Sequence, residues 1–426
     1  MAAPRELAFG LLGRTLGHSW SPKIHATLGS VPYELIELEP EEVEPFIRSG
    51  QWQGLNVTIP YKRLAAEAAD VCSDRVQALG VANTLVHTAD GRVFAENTDI
   101  AGFEALVREF AREQLGCEAT EAFAGRKALI LGTGGASQAV SYALRELVGC
   151  EVAFVSRTGE CTYDNFLEKH DDAVLLVNTT PVGMYPNCPA SPLPDGTLER
   201  LGQLKAVLDV VYNPLRTGLC QQAERAGIPC ESGLAMLVWQ AFFASQLFQD
   251  RTLDPSLCRE AMGDIARATQ NVVLIGMPGA GKTTAGRALA HATHRPFIDL
   301  DDAFAVETGF SAADFINEHG VDAFRRLESE VVRSYGAKSG LVIACGGGVV
   351  TRKENYAPLH QNGTIVLIDR PIELLSSEGR PLSQQRGIEQ LAAERMGLYR
   401  QWADVTVSCT GSPTGDAEEI CRLLKL

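Results

Sequence analysis

Two glycine-bearing turns carry the most explicit chemistry in this sequence. The segment NVVLIGMPGAGKTT (271–284) sets Gly276, Gly279, Gly281, Lys282, Thr283 and Thr284 in the pattern G-x-x-x-x-G-K-T-T. Backbone N–H groups of such a loop cradle phosphate oxygens, the lysine reaches the transferred phosphoryl group and the first threonine ligates Mg²⁺. The chemistry is phosphoryl transfer from ATP with Mg²⁺, and the motif leaves the acceptor open. The second turn, KALILGTGGASQA (127–139), presents Gly132, Gly134, Gly135 and Ala136 after an apolar run. That arrangement suits a tight turn, close approach to a pyrophosphate and a helix N-terminus aimed at its charge. The next apolar run ends in Ser156, Arg157 and Thr158. Where an NAD site usually shows an acidic residue for the ribose, Arg157 can fork onto a 2′-phosphate, which favours NADP(H). The plainer alternatives are an ordinary tight turn and a solvated arginine.

The elements that position these turns are short apolar runs alternating with helical patterns. After the first turn come EVAFVSR (151–157), AVLLVNTT (173–180) and KAVLDVVY (205–212); after the second come PFIDL (296–300), GLVIACGGG (340–348) and GTIVLID (363–369). Such alternation predicts an α/β chain with parallel sheets flanked by helices. The apolar stretch 234–248 carries Gln240, Ser245 and Gln246; it is shorter than the roughly 20 residues that cross a bilayer and reads as a buried helix. The segment 250–270 predicts a turn and a closing helix, which sets a boundary near Thr269.

The chain has 426 residues, 45% hydrophobic and 21% charged, enough for two to four cored domains. A net charge of −15 argues against a nucleic-acid surface. Eleven cysteines without C-x-x-C or metal-ligand spacing fit free thiols in a reducing compartment. Without a charged-then-apolar leader in MAAPRELAFGLLG, the expectation is a cytoplasmic protein with no membrane partner. Oligomeric state is not readable.

Seven further segments stand in order: GRTLGHSWSPKIH (13–25), GLNVTIPYK (54–62), ALGVANTL (78–85), ENTDIAGF (96–103), NTTPVGM (178–184), DVVYNPLRT (209–217) and GLAMLVWQA (233–241). Together they resemble the shikimate dehydrogenase family over residues 1–268. The resemblance implies a substrate-binding part (1–101 and 232–268) and an NADP-binding Rossmann part (102–231). It makes Lys62 and Asp99 the catalytic pair: a lysine held by a carboxylate can donate a proton and stabilise alkoxide charge while hydride arrives at carbon. It assigns Ser19, Ser21, Thr58, Asn83, Tyr212 and Gln240 to a polyhydroxylated carboxylate. Alone, Lys62 reads as a solvated charge and Asp99 as a helix cap, whereas Gln240 would be costly to bury in an apolar helix without a partner. Ile100, Ala101 and Gln138 depart from the family's usual residues, Gln138 standing where Arg or Lys is common.

Downstream of the second turn, PFIDLDD, FRRLE, CGGGVV and ERMGLY resemble shikimate kinase over most of 270–426. Asp299 and Asp301 are read as strand neighbours facing one side. The resemblance gives Asp299 to the metal site with Thr283, and Asp301 to the acceptor's hydroxyls. It gives Arg325 and Arg395 to the acceptor's carboxylate, Gly346, Gly347 and Gly348 to close approach of its ring, and Arg380 to a lid over the phosphates. The segment from Ile368 to Arg380 is short for that lid, and Gly397 replaces a usual proline. The expected whole is a bifunctional enzyme: 3-dehydroshikimate is reduced to shikimate with NADPH, and shikimate is then phosphorylated with ATP. The alternatives are quinate as dehydrogenase substrate, a nucleotide-binding half that is regulatory or inactive, and a chain that is a segment of a larger multienzyme assembly.

Overall fold

The computed structural model of the protein describes residues 7–17, 19–375 and 387–426. It divides into two compact units, the first with one mixed and one parallel sheet and the second with a parallel sheet. The first comprises Met1–Val182, Ser191–Asn213 and Gln222–Ile265, and holds two sheets.

The strands of the first sheet are β1 (Leu7–Gly13), β2 (Tyr33–Glu37), β3 (Trp52–Val57), β4 (Val71–Cys72), β5 (Thr84–His87) and β6 (Val93–Glu96). Their spatial order is β2-β1-β3-β5-β6-β4, with β5 antiparallel to β3 and to β6. Leu12, Leu55, Val57 and Leu85 fill its core with Val43, Ile47 and Trp52. The second sheet is wholly parallel: β7 (Lys127–Leu131), β8 (Glu151–Val155), β9 (Leu175–Asn178), β10 (Ala206–Asp209) and β11 (Cys230–Glu231), in the order β11-β10-β9-β7-β8. Ala128, Leu129, Ile130 and Leu131 are all fully buried, as expected of a strand covered on both faces. Its first crossover therefore delivers the 132–136 turn to the carboxyl ends of the strands, where open α/β sheets bind ligands.

Helix Leu234–Gln249 is the buried helix expected from its apolar run. It packs on helix Thr98–Phe110. Gly102 permits the approach: a Cβ there would stand 2.8 Å from both Gln240 N and Met236 O. A side chain at 102 would push Gln240 away from the residues it faces.

The second unit comprises Ala266–Leu426 with Gly183–Ala190 and Pro214–Gln221. Its start lies three residues before the expected boundary at Thr269. The two short segments were not expected from sequence; Arg216 N–H donates to Gln361 O at 2.9 Å, which seats the second of them. The sheet is parallel, in the order β13 (Phe297–Asp299), β14 (Val342–Ala344), β12 (Asn271–Ile275), β15 (Gly363–Asp369) and β16 (Val405–Ser408). The strand entering the glycine–lysine loop is central and fully buried. Among the described residues no helix is long and apolar enough to cross a membrane.

Candidate active sites

In the first unit, Lys62 opens helix Lys62–Ala68 just after β3, and Asp99 lies in the first turn of helix Thr98–Phe110. Asn97, not Asp99, occupies the cap position, which leaves the Asp99 carboxylate available. Lys62 Nζ and Asp99 Oδ2 are 2.5 Å apart. The other Asp99 oxygen accepts from Asn83 Nδ2 at 2.9 Å, and Asn83 Oδ1 accepts the Thr98 N–H at 2.7 Å. Asn83 thus fixes the helix start and the carboxylate together. Its Nδ2 also reaches Gln240 Oε1 at 3.4 Å, while Gln240 Nε2 donates to Leu237 O. The polar residue in the apolar helix therefore has partners on both ends of its amide.

Ser19, Ser21, Thr58, Lys62, Asn83, Asp99, Tyr212 and Gln240 all line one cavity of about 260 Å³. Ser19 Oγ donates to Ser21 Oγ at 3.1 Å. Burial pushes the Tyr212 phenol up from its ordinary value, so it stays a neutral hydroxyl donor or acceptor. Among the lining residues outside the expected set, two bear on the site's chemistry. Ala136, assigned to the cofactor turn, stands in the wall of this cavity, and Asn56 adds a buried amide. Asn56 accepts from Tyr33 Oη at 2.8 Å and donates to Thr84 Oγ1 at 3.3 Å. Tyr33 in turn stacks on His25, whose burial lowers its pKa to about 3 and keeps it neutral. The motif GLNVTIPYK contained Asn56, but alternation alone could not distinguish a site amide from a core one.

A second cavity, about 640 Å³, is lined by Gly132, Gly134, Ser156 and Arg157. Gly132 has φ +99°, and a Cβ there would stand 2.8 Å from Thr180 Cγ2. Around Gly134 and Gly135, by contrast, a Cβ would meet nothing within 4 Å. This open space above two backbone amides fits a pyrophosphate at the start of helix Gly135–Tyr142. Gly135 and Thr158 are outside the cavity lining, although the Thr158 carbonyl accepts from Ser156 Oγ. Arg157 is exposed at the rim, and Gln138 is exposed on the first turn of the helix. Tyr163 and Thr180 also line this cavity without having been singled out. Burial raises the Tyr163 phenol, with the nearby Arg157 charge opposing.

In the second unit, Gly276, Gly279 and Gly281 hold φ of +143°, +84° and +97°, values that only glycine adopts without strain. Lys282 is buried and its Nζ donates to Gly276 O and Met277 O, each at 3.0 Å. Thr284 Oγ1 donates to Gly281 O. Thr283 Oγ1 donates to Asp299 Oδ2 at 2.7 Å, so a hydroxyl and a carboxylate oxygen share one point beside the loop. Hard oxygen donors of that kind fit Mg²⁺.

The reading of Asp299 and Asp301 as strand neighbours is corrected. β13 ends at Asp299, which caps helix Leu300–Thr308 and accepts the Asp301 N–H at 3.0 Å. Asp301 therefore projects from a helical first turn. The capped strand-to-helix junction, not strand alternation, brings the two carboxylates near one another. Asp301 has an exposed edge, yet its carboxyl is raised, first by desolvation and then by Asp299, with Lys282 and Arg325 pulling the other way.

Arg325 lies on helix Val321–Gly336 and pairs with Glu328 at 2.6 Å; their side chains are 10% and 7% exposed. The glycine run is shaped around this group. A Cβ on Gly348 would fall 1.8 Å from Arg325 Nη2, and one on Gly346 would fall 2.8 Å from Asp301 Oδ1. Arg395 Nη1 and Tyr399 Oη both donate to Gly347 O, which pins the run. Arg395 Nε is buried with no hydrogen-bond partner among the described residues. An anion beside it would satisfy that donor. Glu328 and Tyr399 were not expected site residues, although Glu328 sits one turn after Arg325, where ion pairs form. Arg380 lies outside the described residues, as do positions 376–379 of the segment read as a lid. Gly397 lies within helix Ile388–Trp402.

A glycine turn on a parallel sheet beside a lysine–aspartate cavity, followed by a phosphate loop and two arginines against a glycine run, defines a class: a dinucleotide oxidoreductase region joined to a P-loop phosphotransferase region. Residues 11–85 match the family model of the shikimate dehydrogenase substrate binding domain, and residues 278–425 match that of shikimate kinase. The shikimate dehydrogenase (NADP(+)) of Thermus thermophilus is 36% identical over 276 residues, covering 60% of this chain and 97% of that one. The corresponding protein of Methanopyrus kandleri is 34% identical over 282 residues, covering 59% and 93%. Among solved structures, shikimate 5-dehydrogenase from Thermus thermophilus in complex with NADP(H) and shikimate matches with a TM-score of 0.51 at 34% identity, over 61% of this chain and 99% of that one. A chorismate mutase/shikimate 5-dehydrogenase fusion protein from Clostridium acetobutylicum matches with a TM-score of 0.54 at 28% identity, over 61% and 97%. The chain belongs to the shikimate dehydrogenase family and carries a shikimate kinase domain after it.

Proposed function

We propose that the chain catalyses two consecutive reactions at one carbon: reduction of 3-dehydroshikimate to shikimate, then phosphorylation of the hydroxyl so formed to shikimate 3-phosphate. The observation that carries the first step is the Lys62–Asp99 pair, closed at 2.5 Å, on a cavity that Ala136 of the glycine turn also lines. NADPH, when bound at that turn, supplies the hydride to the carbonyl carbon. Lys62 Nζ, held by Asp99, stabilises the negative charge on the carbonyl oxygen and passes it a proton, so that one hydride and one proton complete the alcohol. Asn83 keeps the carboxylate aimed at the lysine. Ser19, Ser21, Thr58, Tyr212, Gln240 and Asn56 supply short donors and acceptors for the substrate's hydroxyls and carboxylate. Arg157 at the rim of the second cavity gives the cofactor's 2′-phosphate a cation.

For the second step, ATP with Mg²⁺ supplies the phosphoryl group. Thr283 and Asp299 hold the metal, Lys282 turns from the loop carbonyls to the phosphates, and Arg325 and Arg395 hold the acceptor's carboxylate. Asp301 takes up the proton of the attacking hydroxyl, a role to which its raised carboxyl suits it. Lys62→Ala and Asp99→Asn are each expected to lower ketone reduction by roughly 10²–10⁴-fold, with phosphorylation of added shikimate unchanged. Full reductase activity in either variant would remove that residue from the mechanism.

A further inference from the structure

Besides Lys282, a second cation faces the phosphate loop, and no motif singles it out. Arg370 follows β15 directly. That strand runs beside β12 into the loop, so closely that a Cβ on Gly276 would stand 2.6 Å from Ile368 O. Two residues on, Arg370 Nη1 would stand 3.8 Å from a Cβ on Gly281, and Thr284 Oγ1 would stand 3.6 Å from the same point. Arg370 Nε is buried with no hydrogen-bond partner among the described residues. The neighbouring strand end closes the other side: the Cys409 N–H donates to Asp369 O at 3.0 Å and Cys409 Sγ to Ala280 O at 3.6 Å. The guanidinium is therefore held between two strand ends at the Gly281 end of the loop. The acceptor residues lie at its other end, where a Cβ on Gly347 would meet Pro278 at 2.7 Å.

We propose that Arg370 is a nucleotide-binding residue that contacts the α-phosphate of the bound nucleoside phosphate. The proposal rests on the phosphoryl-transfer reading above. The loop amides gather the terminal phosphates, and helix Lys282–Thr293 begins at Gly281. A guanidinium at that end meets the phosphate nearest the nucleoside, and its unpartnered donor gains a charge-assisted bond. It would hold the nucleotide in place while Lys282 follows the transferred group.

The test is equilibrium binding of MgADP to the full chain by calorimetry, which needs no turnover. Arg370→Met is expected to weaken MgADP binding by roughly tenfold or more, the scale of a lost charged hydrogen bond. Arg370→Lys, which keeps the charge, is expected to recover at least half of the lost binding on a logarithmic scale. Unchanged binding in Arg370→Met would overturn the proposal, and so would equal loss in both variants, which marks a structural residue. Lys282→Ala separates the two levels of the argument. If it leaves binding of a non-hydrolysable MgATP analogue, which keeps the terminal phosphate, intact, the phosphate-loop reading fails; if it weakens that binding while Arg370→Met leaves MgADP binding unchanged, Arg370 alone is excluded.

Discussion

Substitution of Gly348 by alanine is the sharpest perturbation of the kinase site. Gly348 has φ −101° and ψ −2°, a conformation open to any residue, so the change carries no backbone strain. Its effect comes from volume alone. The new Cβ would lie 1.8, 2.2 and 2.3 Å from Nη2, Cζ and Nη1 of Arg325, well inside van der Waals contact. The guanidinium must swing away, and its 2.6 Å pair with Glu328 breaks. Both partners are nearly buried, and breaking such a pair costs about 3–5 kcal/mol. If rotation toward solvent recovers half of this, ~2 kcal/mol remains, equivalent to roughly 30-fold in affinity. Initial rates of ADP release at varied shikimate should show KM raised by about that factor, and the kinase domain should melt at lower temperature. NADPH-dependent reduction, read in the same preparation, should not change. A Gly348→Ala protein with normal shikimate KM and normal melting would refute the steric argument. Arg325→Ala paired with Gly348→Ala adds a check: with the guanidinium gone, the glycine substitution should add nearly nothing to the loss.

Arg157→Ala should raise KM for NADPH at least tenfold while leaving that for NADH within about threefold, since only the former carries the 2′-phosphate; equal changes would remove Arg157 from cofactor choice. Glu231 gives a pH prediction. Burial, with Glu113 and Glu109 adding repulsion, raises its carboxyl from 4.5 to about 7. Between those values the folded state binds the extra proton, so stability should fall as pH rises through this window and level off above it. The shift sets an upper limit of about 3 kcal/mol, which the residue's partial exposure reduces. Glu231→Gln should flatten the denaturation midpoint between pH 5 and 8, and an unchanged slope would exclude this group.

Much of this was legible in the sequence because it is local. A phosphate loop or a glycine turn is a continuous segment whose backbone angles demand glycine, and the apolar runs before Gly132 and Gly276 announce buried strands. The Lys62–Asp99 pair depended on two distant motifs meeting, and only the family resemblance joined them. What stayed hidden is tertiary. Asn56 and Tyr163 acquire meaning when other elements close over them. Glu328 matters because the glycine run leaves room for Arg325 to pair with it. Asp301 reads as a strand residue by alternation, while the competing local rule, an aspartate capping the following helix, is the one the chain follows at Asp299. Gly102 looked ordinary until two helices crossed on it.

If both sites work, one chain performs both steps in sequence. Purified protein incubated with 3-dehydroshikimate, NADPH, ATP and Mg²⁺, then analysed by mass spectrometry, tests it most directly. Shikimate 3-phosphate is expected from the intact protein, shikimate alone from Lys282→Ala, and unreacted 3-dehydroshikimate from Lys62→Ala. Accumulation of shikimate without its phosphate in the intact protein would show that the chain does not carry out both steps, as would consumption of neither NADPH nor ATP.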